Sequence, residues 1–122
     1  MANTFSIKIE ENSDVFQKIA ELMEREKIEE VFLVKATGKM RNPEIVRHGK
    51  QSSVFSEKLR GDYDVNAISG NIVRKKNSVN KLVNVAVNQT GVNAKVGQLI
   101  KAIAGRDLEL TLKKVDLSKM IM

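Results

Sequence analysis

The side chains of this sequence that could carry out chemistry are few. The chain contains no cysteine and one histidine, His48, so thiolate nucleophiles, disulfides and thiolate zinc sites are excluded. His48 lies in the polar run RHGKQSS, a setting more typical of a solvated loop residue than of a metal ligand or a general base. The sequence contains neither a nucleophile-elbow serine nor the glycine pattern of a phosphate-binding loop. We therefore predict no catalytic residues, no cofactor and no metal.

The basic residues indicate a different kind of chemistry, the binding of anions. The net charge is +6, and it is unevenly distributed: residues 1–34 carry 4 Lys/Arg against 8 Asp/Glu, residues 35–76 carry 10 against 4, and residues 77–122 carry 7 against 3. Such asymmetry favours an anionic partner, nucleic acid among them, or the docking of oppositely charged faces of neighbouring copies. A surface that is merely solvated is the alternative for a chain so rich in lysine.

Two short basic segments are the candidates for contacts with nucleic acid. Their members are Arg47 and Lys50, on either side of His48, and Arg74, Lys75 and Lys76 in the loop RKKNS. Such side chains neutralise backbone phosphates, which gives salt-sensitive binding without sequence preference. With one Tyr, four Phe and no Trp, however, the chain has few rings on which single-stranded bases could stack. DNA and an acidic protein are both compatible with these residues.

One helix and a series of strands must position these residues. An apolar stripe within residues 13–27 predicts a helix, with Asn12 or Ser13 as its N-cap and Asp14 in the first turn. Asn42-Pro43 is expected to break the chain. Alternating or β-branched runs predict strands in TFSIKIEE, EEVFLVKATG, EIVRHG, YDVNAISGNIVR, the hairpin LVNVAVNQTGVNAKVGQLI and DLELTLKKVDL, with an edge strand within residues 49–60.

This order of elements predicts an α+β fold. We expect one main N-terminal helix packed on a six- to seven-stranded, mostly antiparallel or mixed sheet. Residues 1–122 contain no internal repeat, low-complexity tract or linker, so a single domain is expected. The sequence shows no pattern of a membrane span or of a signal peptide. The expected location is therefore the cytoplasm.

Three segments of the chain resemble the PPC domain (plants and prokaryotes conserved), which occurs alone in bacteria and archaea and beside AT-hooks in plant nuclear proteins. EEVFLVKATGKMRNPEIV is similar to the family's apolar strand, glycine and arginine-asparagine turn. GDYDVNAISGNI is similar to its Gly-Arg-Phe-Glu-Ile-Leu motif and the Leu-Ser-Gly that follows, although Asp62 replaces the arginine. The hairpin supplies the family's turn glycine. The matching positions are Gly38, Arg41, Asn42, Gly61, Ser69, Gly70 and Gly91.

The hairpin departs from the family at its metal positions. The resemblance brings with it a known family motif. In many prokaryotic members of the family, this hairpin carries a His-x-His pair on one strand and Gly-Gly-His on the next, three imidazoles suited to a metal. By spacing from Gly91, the corresponding residues here are Lys81, Val83 and Gln98. Valine and protonated lysine cannot bind a metal, and glutamine is a poor ligand for zinc. The resemblance therefore implies a PPC domain that lacks the metal site.

The resemblance also implies self-association, because PPC domains commonly form homotrimers. Our leading hypothesis is a non-enzymatic oligomerising module, a DNA-binding or regulatory protein that uses a basic surface. The alternative is a small-molecule-binding or enzymatic homotrimer whose polar pocket between subunits is lined by Arg41, Lys81, Asn84 and Gln98. A third hypothesis is an assembly partner that binds neither ligand nor DNA.

Overall fold

The computed structural model of the chain describes residues 3–48, 53–75 and 78–115. These residues form eight β-strands and one α-helix, together with their connections. The helix is α1 (Val15–Glu26). No helix within these ranges is long and apolar enough to cross a membrane. The strands are β1 (Thr4–Lys8), β2 (Glu30–Thr37), β3 (Lys39–His48), β4 (Val54–Lys58), β5 (Asp62–Lys75), β6 (Ser78–Asn88), β7 (Lys95–Ala104) and β8 (Glu109–Lys114).

The strands form one antiparallel sheet that closes on itself. Their order is β1-β8-β2-β5-β6-β7-β3-β4, and β3 pairs with β5 as well. Strands β5, β6, β7 and β3 therefore form a ring in which each strand is hydrogen-bonded to the next. The closing register pairs Lys39 with Asp64, Met40 with Tyr63 and Arg41 with Asp62. A closed ring leaves no free strand edge between its members.

The core lies on the inner side of the sheet and against α1. Strand β6 shows the period of two that this requires, because Val83, Val85 and Val87 are buried while the residues between them face outward. The helix, which packs against β7, contributes Val15, Ile19 and Met23, and β8 contributes Leu110 and Leu112. Burying each side chain of this size contributes about 1.5–3 kcal/mol to folding.

The predicted helix is present, but its first residue and its cap differ from the prediction. Asp14 is the N-cap: its side chain accepts a hydrogen bond of 3.0 Å from the backbone N–H of Gln17. The helix therefore begins at Val15 rather than at residue 13. It ends where Lys27 adopts the left-handed conformation (φ 56°) and its N–H donates back to the carbonyls of Met23 and Glu24.

The predicted fold class, a helix packed on six or seven strands, is wrong. Strands account for 65% of the residues that the structure describes, they number eight within those residues, and every one of their pairings is antiparallel rather than mixed. The helix is one element of 12 residues. The strand count fell short because residues 49–60 are mostly polar and show little apolar alternation, although pairing with β3 holds Val54–Lys58 as strand β4.

Strand β3 also overturns the expected chain break at Asn42-Pro43. Both residues lie inside β3, at the point where its pairing with β7 shifts register between Arg41 and Glu44. Asn42 adopts a left-handed conformation there (φ 50°), so the chain bends without leaving the sheet. A proline is tolerated at such an irregularity because it lacks the N–H donor that the bulge would otherwise leave without a partner.

Two of the family-motif glycines lie where the backbones of neighbouring segments nearly touch. Gly38 (φ +96°) would place an added Cβ atom 2.2 Å from the carbonyl oxygen of Asp107, and Gly70 (φ +126°) would place one 2.0 Å from the carbonyl oxygen of Leu82. Both distances are far shorter than any real contact, and both φ values are ones that side chains strongly disfavour. These positions therefore require glycine for two independent reasons, contact and conformation.

We expect Gly70→Ala to lower the free energy of unfolding by about 3 kcal/mol, because the new methyl group forces β5 away from β6 in addition to the backbone strain. Gly91→Ala is the matched control, since Gly91 has a positive φ (+79°) but no atom within 4 Å of the added Cβ. Its cost should be the strain alone, about 1 kcal/mol. Urea unfolding of both variants measures the difference, and equal costs would contradict the close approach at Gly70.

Candidate functional site

Arg41 is the centre of the largest polar network among the described residues. Its Nε donates to Oδ1 of Asp62 at 2.7 Å and its Nη2 donates to Oδ2 of the same carboxylate at 3.2 Å. Nη2 also donates to Oε2 of Glu11 at 3.0 Å, and Nη1 donates to Oδ1 of Asn12. The guanidinium thus ties β3 to β5 and to the turn before α1. With its donors so occupied, Arg41 holds the structure together rather than presenting a free contact to a ligand.

The neighbouring motif residues Asn42 and Gly61 are linked by two hydrogen bonds. The N–H of Asn42 donates to the carbonyl oxygen of Gly61 at 2.8 Å, and the N–H of Gly61 donates to Oδ1 of Asn42 at 2.7 Å. Gln89 reinforces this connection, because its Nε2 lies 3.2 Å from the carbonyl oxygens of both Arg60 and Asp62. The segment between β4 and β5 is therefore fixed from both sides.

The three positions at which the resemblance implies imidazoles in relatives hold side chains that lie on two faces of the sheet. Val83 is completely buried in the core and has no donor atom. Lys81 points its Nζ over the ring of Phe16, 3.8 Å from the centroid, and donates to the carbonyl oxygen of Ile100 at 2.9 Å. Burial lowers the pKa of the Lys81 ammonium. Gln98 pairs with Asn84, which places it on the opposite face of the sheet from Val83.

The residues that line the alternative polar pocket are likewise divided between surfaces. Asn84 and Gln98 lie side by side on the outer face of the sheet, whereas Lys81 points inward toward α1. Arg41 is engaged with Asp62 and Glu11. A single chain therefore does not bring these four side chains together around one pocket.

The predicted nucleic-acid-binding residues that the structure describes fall into two groups, one near the end of β3 and one at the end of β5, and no pairing places a residue of one group opposite a residue of the other. Arg47, on β3, forms an ion pair with Glu57 of β4 (Nη1–Oε1, 2.9 Å), so its charge is compensated. Arg74, near the end of β5, points its Nε toward the carbonyl oxygen of Ile28 at 3.4 Å. Lys75, beside it, is exposed. Lys50 and Lys76 lie outside the described residues.

A feature that the sequence analysis missed is a surface without charges on the outer side of the ring. Residues that pair across a β-ladder face the same side of the sheet. The registers therefore define three rows of outward side chains, which together span β2, β5, β6, β7, β3 and β4. None of the row members is charged, although 30% of the residues in the chain are. We call these side chains the uncharged face: Phe32, Asn71 and Leu82; Ser69, Asn84, Gln98, Val46 and Ser56; Ala67, Ala86 and Val96.

The large apolar side chains of the uncharged face are open to solvent. Phe32, Leu82 and Val96 are 44%, 55% and 62% exposed, and the motif residue Ser69 lies among them. Charged residues begin at its borders, for example at Lys113, which pairs with Phe32 on the β8 side. The signal was present in the alternate positions of residues 67–71, 82–86 and 96–98. Only the registers, however, show that these alternate positions share one surface.

The Arg41–Asp62 pair gives a testable dependence of stability on pH. The hydrogen bonds from Arg41 hold the pKa of Asp62 below its ordinary value of 3.8. A carboxyl group whose pKa is lower in the folded than in the unfolded state stabilises the fold. This contribution is complete at pH values above the unfolded-state pKa, and it is lost as the pH falls through the folded-state pKa. We therefore expect Asp62→Asn to lower the melting temperature by several degrees at neutral pH and by progressively less as the pH falls below 3.8.

Arg41→Gln is the partner variant for this experiment. Because the two residues act through the same hydrogen bonds, the loss in melting temperature of the double variant should be smaller than the sum of the two single losses. Thermal unfolding of the four proteins across the acid range measures both effects. Additive losses with no dependence on pH would contradict the pairing.

The fold is shared with proteins of known structure. A plant- and prokaryote-conserved (PPC) protein from Pyrococcus horikoshii superposes with a TM-score of 0.77 at 17% identity, over 93% of this chain and 79% of that one. A metal-containing protein from Archaeoglobus fulgidus gives 0.77 at 19% identity, over 91% and 78%. A candidate DNA-binding protein from Bacteroides thetaiotaomicron gives 0.69 at 14% identity, over 93% and 79%. Identities this low establish a common fold alone.

The comparison with curated protein sequences gives no match. The sequence model of one family, the Plants and Prokaryotes Conserved (PCC) domain, matches residues 1–116. The match includes the ring of strands, the Arg41 network and the motif glycines, and it confirms the resemblance on which the sequence analysis relied. The chain therefore belongs to the Plants and Prokaryotes Conserved domain family, whose name is abbreviated PCC or PPC.

Proposed function

We propose that this PCC domain is a non-enzymatic module that assembles into a homo-oligomer, a trimer by analogy with its family, and binds DNA through basic residues outside the assembly interface. The observation that carries the proposal is the uncharged face. The DNA-binding part is supported by the net charge of +6 and by the fold that the chain shares with candidate DNA-binding proteins from Bacteroides thetaiotaomicron and Ralstonia eutropha.

The uncharged face has the chemistry of a protein–protein contact. Exposed apolar side chains, Phe32, Leu82 and Val96 among them, share this surface with uncharged polar ones, and the centres of protein–protein contacts are depleted of charge. A second copy of the chain is the occupant that we propose. Each chain carries a net charge of +6, and contact through the uncharged face brings two copies together without placing like charges opposite each other.

The proposed DNA contact is centred on the end of β5. Lys75 is exposed there and Arg74 is half-buried, and Lys76 follows them in the chain. Arg47 contributes less in this proposal, since Glu57 already neutralises it at 2.9 Å. A contact made by Lys and Arg to phosphates carries no sequence information, so the expected binding is non-specific and weakens steeply with salt.

We expect Leu82→Lys to shift the protein toward monomer, because the assembled state would have to bury an unpaired ammonium group. Val79→Lys is the matched control: Val79 lies on the same strand, is 44% exposed against 55% for Leu82, and faces the other side of β6. Sedimentation velocity over a range of concentrations gives the oligomeric state of each. A monomeric parent protein, or equal dissociation in both variants, would remove the uncharged face as the interface.

We expect replacing Arg74, Lys75 and Lys76 together by Gln to weaken binding to random duplex DNA by about tenfold or more at low salt, because each lost phosphate contact lowers the electrostatic part of the affinity. The salt dependence of binding should become shallower as well. Fluorescence anisotropy at low and near-physiological salt measures both quantities.

The matched control for this experiment replaces three exposed lysines elsewhere, Lys8, Lys35 and Lys113, and removes the same charge. An equal loss in both triple variants would assign binding to overall charge rather than to the end of β5. If the parent protein does not bind duplex DNA even at low salt, the DNA-binding part of the proposal fails, and an acidic protein becomes the partner to test.

A further inference from the structure

A cleft on the far side of the Arg41 network collects positive charge that the proposed function does not use. It lies over the middle of β3, between the end of β4 with its connection to β5 on one side and β7 on the other. Its volume of about 680 Å³ is within the range of about 300–1,000 Å³ that small-molecule sites occupy. Lys58, Arg60 and Lys101 line it, together with one carboxylate, Glu44. The lining therefore carries two more positive than negative charges.

The charges in this cleft are less compensated than those of the three basic residues on β3. Lys39, Arg41 and Arg47 each lie within 3.0 Å of a carboxylate oxygen. In the cleft, Lys58 approaches Glu44 only to 3.9 Å and remains 84% exposed. Within residues 3–48, 53–75 and 78–115, Arg60 and Lys101 form no ion pair. An anion that enters the cleft therefore gains electrostatic contacts without first breaking existing ones.

The apolar lining residues of the cleft and its fixed backbone suit a ligand that has a charged group and an uncharged portion. Leu59 and Ile103 line it beside the basic residues, and they offer an apolar surface to the uncharged portion of a ligand. The backbone that carries Arg60 is fixed: the N–H of Leu59 donates to the carbonyl of Pro43 at 2.9 Å, and Gln89 holds the carbonyl of Arg60 at 3.2 Å. A frame formed in advance lowers the entropic cost of binding.

We propose that this cleft binds a small organic phosphate monoester. Such a group carries a charge of about −1.5 to −2 at neutral pH and three acceptor oxygens, which matches the excess of two positive charges and the donors of Arg60, Lys58 and Lys101. The apolar part of the ester lies on Leu59 and Ile103. This site is separate from the uncharged face and from the end of β5, so the proposal does not depend on assembly or on DNA binding.

Phenyl phosphate and inorganic phosphate are the probes, each titrated into the parent protein in thermal unfolding experiments at constant ionic strength with chloride. Binding to the folded state raises the melting temperature with concentration. Phenyl phosphate should act at lower concentrations than inorganic phosphate, because only phenyl phosphate contacts Leu59 and Ile103. Amide NMR shifts caused by phenyl phosphate should centre on Asn42, Arg60, Gly61 and Lys101.

The double variant Arg60→Gln/Lys101→Gln should require at least tenfold more phenyl phosphate for the same stabilisation. Lys35→Gln/Lys113→Gln removes two exposed charges outside the cleft and should respond as the parent protein does. No rise in melting temperature with either probe would overturn the proposal. Equal losses in the two double variants, or NMR shifts centred away from the cleft, would overturn it as well.

Discussion

The closure of β3 onto β5 is the constraint on which the rest of the structure depends. For three residues β3 pairs with β5, and beyond Asn42 the same strand edge pairs with β4 instead. The Arg41–Asp62 pair lies at the last of the shared positions, and the reciprocal hydrogen bonds of Asn42 and Gly61 follow directly. These side-chain contacts fix the point at which β3 and β5 separate, since the backbone ladder alone would allow the register of the two strands to slip.

Closure determines which surfaces the molecule can offer to partners. Within the ring, inward residues form an apolar core and cannot contact a ligand, so the outward positions and the strand connections carry any function. The positions of β5, β6 and β7 within the uncharged face lack charge. The cations considered above lie instead at the end of β5 and around the cleft beside β4. An uncharged face for self-association and basic positions for anions are thus separated by the geometry of the sheet rather than by a division into domains.

The same closure explains how the fold persists although the hairpin lacks the imidazoles found in many relatives. Val83 fills a core position, and Lys81 spans from β6 to the carbonyl of Ile100 on β7 while it covers Phe16 of α1. These contacts are apolar, cation–π and backbone interactions, and none of them needs a metal. Residues that hold the hairpin in place thus occupy two of these positions.

The helical stripe of α1 and the alternation of β6 and β8 follow from the sequence alone, because these features are local and periodic. The tertiary structure decided that β3 continues through Pro43, that Asp14 rather than Asn12 or Ser13 caps α1, and that Arg41 binds a carboxylate 21 residues away. It also decided which outward residues share one face. A sequence records the period of each strand but not its neighbours, and long-range pairing is selected by the packing of the whole sheet.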